Sequence, residues 1–294
     1  MAWLETYRGT VYRWEVDPVD HFTVAFYFAR LEDATQALLH RLGLNPTVLA
    51  AAGQACVTRE AQVRYRRELR VGDVLHIRSG VLEIEDHGLL IAHEVIDSED
   101  GTLCTTVAER VELVDRSRKA RRRLAAKPRE AALSHRVQRP AETDERAGPP
   151  PPAGDEGFVD AARDAVRPVE LNALGEAGMP AYVHRFTAAN GHVLAAFGMT
   201  PSYCRREHRG FSTFVFDLRF SGWLRGGDLV RVRSGLVHVG SSSMRIFHRL
   251  SNAATGELVA TLEQAGVHLD LDARRPAPLP PELRARAQAM VVKG

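Results

Sequence analysis

An aspartate and a histidine, Asp17 and His21, lie four residues apart just before a long apolar helical pattern. A carboxylate in such a place can activate a water molecule or attack a carbonyl carbon as an anion. An imidazole beside it can orient the carboxylate or the water, and like-charge repulsion from Asp20 would raise the proton affinity of Asp17. We therefore take Asp17 and His21 as candidate catalytic residues, with a turn former before proline as the alternative for Asp17.

The candidate acid occurs only once, although the region around it occurs twice. Residues 72–80, with the sequence GDVLHIRSG, reappear 155 positions later as GDLVRVRSG, and both copies keep the alternation of a half-buried strand. At the site, Asp17 becomes Asn172, whose amide can neither take up a proton nor attack as an anion. The repeat predicts two copies of one domain, the second of which is degenerate at this position.

A strand and a long helix must position the candidate acid. A strand is predicted over residues 6–16, and from Val24 to Leu42 apolar residues recur at three- and four-residue steps, which indicates a helix about 30 Å long. Thr23 or Asp20 can cap this helix and Gly43 can end it. Four strand patterns joined by short turns follow, over residues 61–69, 74–84, 88–96 and 102–114. Short connections favour antiparallel neighbours, so the helix is expected to bury its apolar stripe against an antiparallel sheet.

The first turn of the helix offers a second chemical group. Backbone amides around Thr23 and Val24 are expected to be unpaired and to carry partial positive charge. Such donors can hold a carbonyl oxygen as negative charge develops on it, which makes Thr23 and Val24 candidate substrate-binding residues.

Length and composition set the domain organisation. A chain of 294 residues with 45% hydrophobic content can bury two cores of ordinary size. We predict a first, catalytic domain over residues 1–123, a linker rich in Pro, Ala and Arg over 124–160, a second domain over 161–275 and a tail over 276–294.

The same numbers argue against several classes of protein. A formal charge of +2 is too small for nucleic acid or an anionic membrane to be a main partner, and the basic run at residues 116–123 is expected to be a solvated segment. Three isolated cysteines suggest neither a disulfide framework nor a zinc site, and no metal-ligand spacing occurs. Without a signal peptide or a long apolar run, we expect a soluble, cytoplasmic protein.

These residues resemble the hotdog-fold thioesterases of the 4-hydroxybenzoyl-CoA thioesterase and acyl-CoA thioester hydrolase type. Residues 16–27, VDPVDHFTVAFY, are similar to the family pattern Asp-x-x-Gly-His-Val-Asn-Asn-x-x-Tyr, and Glu32, Leu42-Gly43 and Gly72-Asp73 follow in the family's order. The resemblance implies an α+β fold of two tandem hotdog domains, each a long helix wrapped by a curved antiparallel sheet. It further implies hydrolysis of an acyl-CoA thioester at the interface between the halves, with coenzyme A as part of the substrate and no other cofactor.

The chain departs from the family pattern at several positions. Asp20 replaces the glycine before the histidine, Thr23 and Val24 replace two asparagines, and the second copy has Glu176 in place of His21. Other polar residues are expected to be structural: Tyr27, Glu32, His93 and His248.

Three functions remain open from the sequence. The first is a thioesterase for acyl-CoA or acyl-carrier substrates that uses Asp17, where Asp17 acts as base or as nucleophile. The second is a hotdog enoyl-CoA hydratase or dehydratase, and the third a non-catalytic acyl-CoA-binding protein. A homodimer of double-hotdog units is a possible assembly.

Overall fold

The two copies of the repeat fold into the same order of elements. The computed structural model describes residues 2–116, 120–138 and 151–292, and the chain divides into the units Met1–Glu145 and Arg146–Gly294. The first unit contains β1 (Leu4–Thr10), α1 (Val24–Arg41), α2 (Pro46–Ala51), β2 (Gln54–Tyr65), β3 (Val74–Ile84), β4 (Gly88–Asp97), β5 (Leu103–Asp115), β6 (Ala120–Arg121) and α3 (Ala126–Leu133). The second contains β7 (Val159–Ala165), α4 (Met179–Ala196), α5 (Pro201–Glu207), β8 (Arg209–Phe220), β9 (Leu229–Val239), β10 (Ser243–Asn252), β11 (Leu258–Asp270), β12 (Arg275–Pro276) and α6 (Pro281–Ala289).

An antiparallel sheet packs against the long helix of each unit. Its strand order is β1-β3-β4-β5-β2 in the first unit and β7-β9-β10-β11-β8 in the second. In the first unit Leu38 of α1 and Leu42, directly after the helix, are buried in one core cluster with Val81, Leu89 and Ile91 of the sheet. The predicted α+β architecture is thus confirmed in both units, because the apolar stripe of one helix needs the inner face of one sheet.

The predicted helix is confirmed, whereas two strand boundaries are corrected. The helix ends at Arg41, and Gly43 follows with a left-handed φ of 78°. The strand predicted over residues 6–16 ends at Thr10, because the chain turns through a short 3-10 helix at Arg13–Glu15. The strand predicted over 61–69 is β2, which begins earlier, directly after α2.

A helix also follows the sheet in each unit. α3 starts within the segment expected to be a linker and α6 within the expected tail, 155 positions apart, like the rest of the repeat. Ala132 of α3 belongs to the core of the first unit, and Leu283 and Ala287 of α6 belong to the core of the second. The remaining linker residues 139–150, and Arg118 and Lys119 of the basic run, lie outside the described residues.

A belt of hydrogen-bonded polar side chains crosses the core of the first unit under α1. Glu109 accepts hydrogen bonds from the hydroxyls of Thr35 (2.6 Å) and Thr58 (2.5 Å), and its Oε2 lies 3.1 Å from Nε2 of His93. The other ring nitrogen of His93 lies 2.7 Å from Ser79 Oγ. His93 is fully buried, as expected, but it is held by hydrogen bonds rather than by apolar packing alone.

The second unit keeps the histidine of this belt without the carboxylate. His248 Nδ1 lies 2.7 Å from Ser234 Oγ, and Gln264, which replaces Glu109, donates to Thr213 (2.7 Å). Burial lowers the pKa of His248 to about 3, because the charged imidazolium would lose its hydration. The folded second unit therefore keeps this histidine neutral.

The depressed pKa of His248 predicts an acid-sensitive stability. Between pH 6.5 and 3 the unfolded chain binds a proton that the folded chain does not, so the free energy of unfolding falls as the pH falls, by about 2 kcal/mol at pH 5 relative to neutral pH. Urea titrations at pH 7 and pH 5 measure this loss. In a His248→Gln variant the loss should be smaller by that amount, and an unchanged loss would show that His248 is not its source.

Candidate functional site

A tight loop in front of α1 holds the candidate acid. Oδ1 of Asp17 accepts hydrogen bonds from the amides of Val19 (2.9 Å) and His21 (3.0 Å). The Asp17 amide donates to the His21 carbonyl (2.9 Å), and Val16 and Phe22 form an antiparallel bridge that closes the loop. The loop thus brings the two predicted catalytic residues together, with a carboxylate oxygen of Asp17 as the acceptor around which the backbone turns.

The second unit builds the same loop around an amide. Oδ1 of Asn172 accepts from the amides of Leu174 (2.9 Å) and Glu176 (3.3 Å), and its own amide donates to the Glu176 carbonyl (2.8 Å). The loop therefore needs one acceptor oxygen at this position and no charge. The same turn can thus be built without a negative charge at this position.

Asp20, where the family pattern has glycine, adopts the conformation that glycine favours. Its φ is 63°, and the equivalent Gly175 of the second unit has a φ of 72°. Aspartate tolerates this left-handed region better than most residues. The Arg13 guanidinium lies 3.6 Å from the Asp20 carboxylate and opposes its charge. The departure at Asp20 thus leaves the shape of the loop intact.

His21 lies beside an acid, Glu68, that no sequence pattern predicted. Its Nε2 lies 2.5 Å from Oε2 of Glu68, and the other oxygen of Glu68 accepts a hydrogen bond from Arg70 Nε (3.0 Å). The Phe22 amide donates to the Leu69 carbonyl (2.7 Å), which fixes the segment carrying Glu68 beside the loop. The imidazole therefore contacts a carboxylate at one nitrogen, although this contact lacks the geometry of a hydrogen bond.

The repeat contains a signal for this pair. In the second copy His21 is replaced by Glu176, and Glu68 is replaced by Trp223. Both partners thus change together between the two copies. Because most residues of this loop also differ between the copies, the joint change points to Glu68 only once the contact with His21 is known.

The amide of Thr23, which was expected to be unpaired, is engaged by the protein itself. It donates to the Glu15 carbonyl (2.8 Å), and the equivalent Gly178 amide donates to the Glu170 carbonyl (3.0 Å). Thr23 is the N-cap residue of α1, but its side chain makes no capping hydrogen bond. Val24 opens the helix. Substrate binding by Thr23 and Val24 stays a prediction.

A buried ion pair holds the loop on α1. Glu15 Oε1 lies 2.5 Å from Arg30 of α1, and Glu15 Oε2 accepts from the Tyr12 amide (3.0 Å). In the second unit Glu170 lies 3.0 Å from Arg185. The pair is present in both units, so it belongs to the shared scaffold rather than to one site.

Aromatic rings line the inner side of the loop. The ring centroids of Phe22 and Tyr27 are 4.5 Å apart, and those of Tyr27 and Tyr65 are 5.2 Å apart. Tyr27 is buried, and this burial raises the pKa of its hydroxyl. Its expected core position is confirmed, while Glu32 lies half-buried further along α1.

The described residues contain no cluster of three or more histidine, cysteine, aspartate or glutamate side chains placed to hold a metal ion. Within the same ranges, no helix has the length and apolar character needed to cross a membrane.

A long helix on an antiparallel sheet, with an aspartate and a histidine in the loop before it, defines a protein of the hotdog thioesterase class. The family described as the thioesterase-like superfamily matches residues 11–152 and 166–287. The chain belongs to this family, and the two matched spans confirm the tandem arrangement predicted from the repeat.

Individual relatives agree with this assignment. The chain is 30% identical over 111 residues to a betainyl-CoA thioesterase of Pseudomonas aeruginosa, covering 37% of this chain and 69% of that protein. It is 33% identical over 90 residues to an L-carnitine dehydrogenase/betainyl-CoA thioesterase of Agrobacterium fabrum, covering 31% of this chain and spanning only 18% of that relative's length. The crystal structure of a putative oleoyl thioesterase from Lactobacillus plantarum shares the fold, with a TM-score of 0.73 and 11% identity over 90% of this chain and 95% of that one.

The two loops predict how substitutions at Asp17 affect stability. Asp17→Asn keeps the acceptor oxygen that Asn172 supplies in the second unit, so the free energy of unfolding should change by less than about 0.5 kcal/mol. Asp17→Ala removes the acceptor from two loop amides and should cost about 1–2 kcal/mol. Urea denaturation of both variants measures the difference, and equal losses would contradict the role of Oδ1 in the loop.

Proposed function

We propose that the protein hydrolyses an acyl-CoA thioester with Asp17 of the first unit as the essential carboxylate. The observation that carries the proposal is the comparison of the two loops. Asn172 builds the same turn as Asp17, so a carboxylate at residue 17 adds a charge that the turn does not need. A charge that the turn itself does not need, in a loop of a thioesterase-like protein, is a candidate for chemistry.

The chemistry needs few groups. Asp17 takes a proton from a water molecule, and the water oxygen bonds to the thioester carbonyl carbon. The C–S bond then breaks, and the leaving sulfur takes the proton from Asp17, so that coenzyme A is released as its thiol. Attack by Asp17 itself would form an acyl anhydride that water then hydrolyses. Both routes require an ionised carboxylate, which the amide of Asn172 does not offer.

His21 and Glu68 serve this reaction by orientation. Nε2 of His21 lies beside the Glu68 carboxylate, and the backbone amide of His21 donates to Asp17. The pair therefore acts as a positioning device for the acid or its water. Its loss from the second copy together with the acid supports a single working site in the first unit.

Coenzyme A as the thiol is supported by the two relatives named as betainyl-CoA thioesterases. The alternative is a thioester of an acyl-carrier protein, which the same reaction would hydrolyse. Betainyl-CoA belongs in the first panel of substrates, together with short and long aliphatic and aromatic acyl-CoAs.

Replacement of the acid should abolish turnover without unfolding the protein. We expect Asp17→Asn to lower the rate of thiol release by at least about 100-fold, since a general base or nucleophile is lost. The matched control Asn172→Ala should retain nearly full activity. A thiol-trapping assay over the acyl-CoA panel measures both variants.

Other outcomes of the same panel would contradict the proposal. Equal losses in Asp17→Asn and Asn172→Ala would remove the distinction between the units. Addition of water to a trans-enoyl-CoA without thiol release would identify a hydratase, and tight binding without turnover would identify a binding protein.

The His21–Glu68 pair should behave as one unit in a double-mutant cycle. His21→Gln and Glu68→Gln should each lower kcat/KM by about 10-fold, and the double variant should lose no more than the larger single effect. Additive losses would show that the two residues act separately. Steady-state kinetics with the best substrate of the panel provides the four rates.

A further inference from the structure

An exposed pair of aromatic rings lies just before the loop that carries Asp17. The rings of Tyr12 and Trp14 are stacked, with centroids 4.6 Å apart and an interplanar angle of 5°. Trp14 is 72% exposed and Tyr12 is 44% exposed. Because Tyr12 covers one face of the indole and most of Trp14 is exposed, the other face of the indole is open to solvent. The two rings therefore form a flat platform, which we call the Tyr12–Trp14 platform.

The backbone that carries the platform is held by the same scaffold as the loop. The Glu15 amide donates to the Tyr12 carbonyl (3.0 Å), and the Tyr12 amide donates to the Glu15 carboxylate (3.0 Å). Glu15 is buried and paired with Arg30 of α1. The backbone of the platform is therefore in place before a ligand arrives, which reduces the entropic cost of binding.

A cationic side chain accompanies the two rings. The side chain of Arg13 is 81% exposed, and its guanidinium lies 3.6 Å from the Asp20 carboxylate. This separation is longer than a hydrogen bond, so the guanidinium can still donate to another anion. The Asp20 amide donates to the Asp17 carbonyl (3.0 Å), so the Arg13 guanidinium lies at the loop of the candidate acid.

The second unit builds the same turn without these side chains. Residues 167–169, Arg-Pro-Val, replace residues 12–14, Tyr-Arg-Trp, and a 3-10 helix still forms at Pro168–Glu170. The turn therefore needs neither the aromatic rings nor the arginine at its second position. Exposure of a large aromatic surface to water is unfavourable, so the platform of the first unit is a candidate for ligand binding.

We propose that the Tyr12–Trp14 platform binds the adenine ring of coenzyme A and that Arg13 binds a phosphate of the same nucleotide. A planar base stacks on an aromatic face, and a guanidinium matches a phosphate in charge and geometry. The inference rests on the proposed thioesterase function. It selects a coenzyme A thioester over the thioester of an acyl-carrier protein, because the pantetheine arm of a carrier protein bears no adenine.

The position and charge of the platform fit this substrate. Trp14 precedes Asp17 by three residues, so their Cα atoms are at most about 11 Å apart. In coenzyme A a flexible pantetheine arm joins the nucleotide to the sulfur and can span such a separation. A quaternary ammonium group could also lie on an indole face, but the positive charge of Arg13 favours a phosphate over a cation.

Matched thioesters with and without the nucleotide test this proposal. Wild-type protein should hydrolyse an acyl-CoA with a kcat/KM about 10- to 100-fold above that for the acyl-pantetheine with the same acyl group, and the difference should lie in KM. Trp14→Val, which introduces the residue of the second unit, should lower this ratio by about 10-fold, whereas Trp14→Phe should keep most of it. Arg13→Gln should also lower the ratio, by an amount that shrinks with added salt.

Val169→Ala is the control, because Val169 is the equivalent exposed residue of the second unit. It should leave the ratio unchanged, and urea denaturation should show all variants folded. A ratio near one in wild-type protein, or a ratio unchanged by Trp14→Val, would overturn the proposal. An equal loss for both thioesters in Trp14→Val would overturn it too, because the ring would then serve the fold or the acyl group. Hydrolysis of an acyl-carrier protein thioester as fast as the acyl-CoA would likewise contradict it.

Binding of free coenzyme A separates failure of this proposal from failure of the thioesterase proposal. Coenzyme A should quench the tryptophan fluorescence of wild-type protein but not that of Trp14→Val, and pantetheine should quench neither. Quenching without hydrolysis of any acyl-CoA would support the nucleotide site and refute the thioesterase proposal. Hydrolysis without quenching would refute the nucleotide site and leave the thioesterase proposal standing.

Discussion

The buried ion pair between the loop and the long helix is the constraint on which the site depends. Glu15 binds Arg30 through its side chain and the Thr23 amide through its carbonyl, so the residues before and after the loop are fixed to the helix together. Breaking such a pair leaves a buried charge uncompensated and costs about 3–5 kcal/mol. The second unit keeps the pair as Glu170 and Arg185 but not the chemistry. Both units therefore keep the ion pair that supports the loop, whereas only the first unit keeps the acid at residue 17.

Because the two halves of the chain are copies of one domain, equivalent residues can be compared between them. Where both copies keep a feature, such as the ion pair or the turn around residue 17, the feature serves the fold. Where only the first copy keeps a polar group that stability does not require, the group is a candidate for function. Asp17 and the His21–Glu68 pair belong to this second group.

The sequence was sufficient for the long helix, the antiparallel sheet and the position of the acid. Periodicity and glycine punctuation determine these features locally, and residues 74–84 formed the strand expected of them. The partner of His21 was missed because Glu68 lies 47 positions away and belongs to no local pattern. The amide of Thr23 was misjudged because its acceptor, the Glu15 carbonyl, becomes available only when the chain turns after Thr10.

Single-turnover thiol release by Asp17→Asn protein, with excess enzyme and the best acyl-CoA substrate, tests the central claim most directly. Because Asn172 shows that an amide supports the loop, the variant should remain folded and bind its substrate. The rate of the chemical step should fall by at least about 100-fold relative to wild type. An unchanged rate in a correctly folded variant would show that the charge of Asp17 does not carry the reaction.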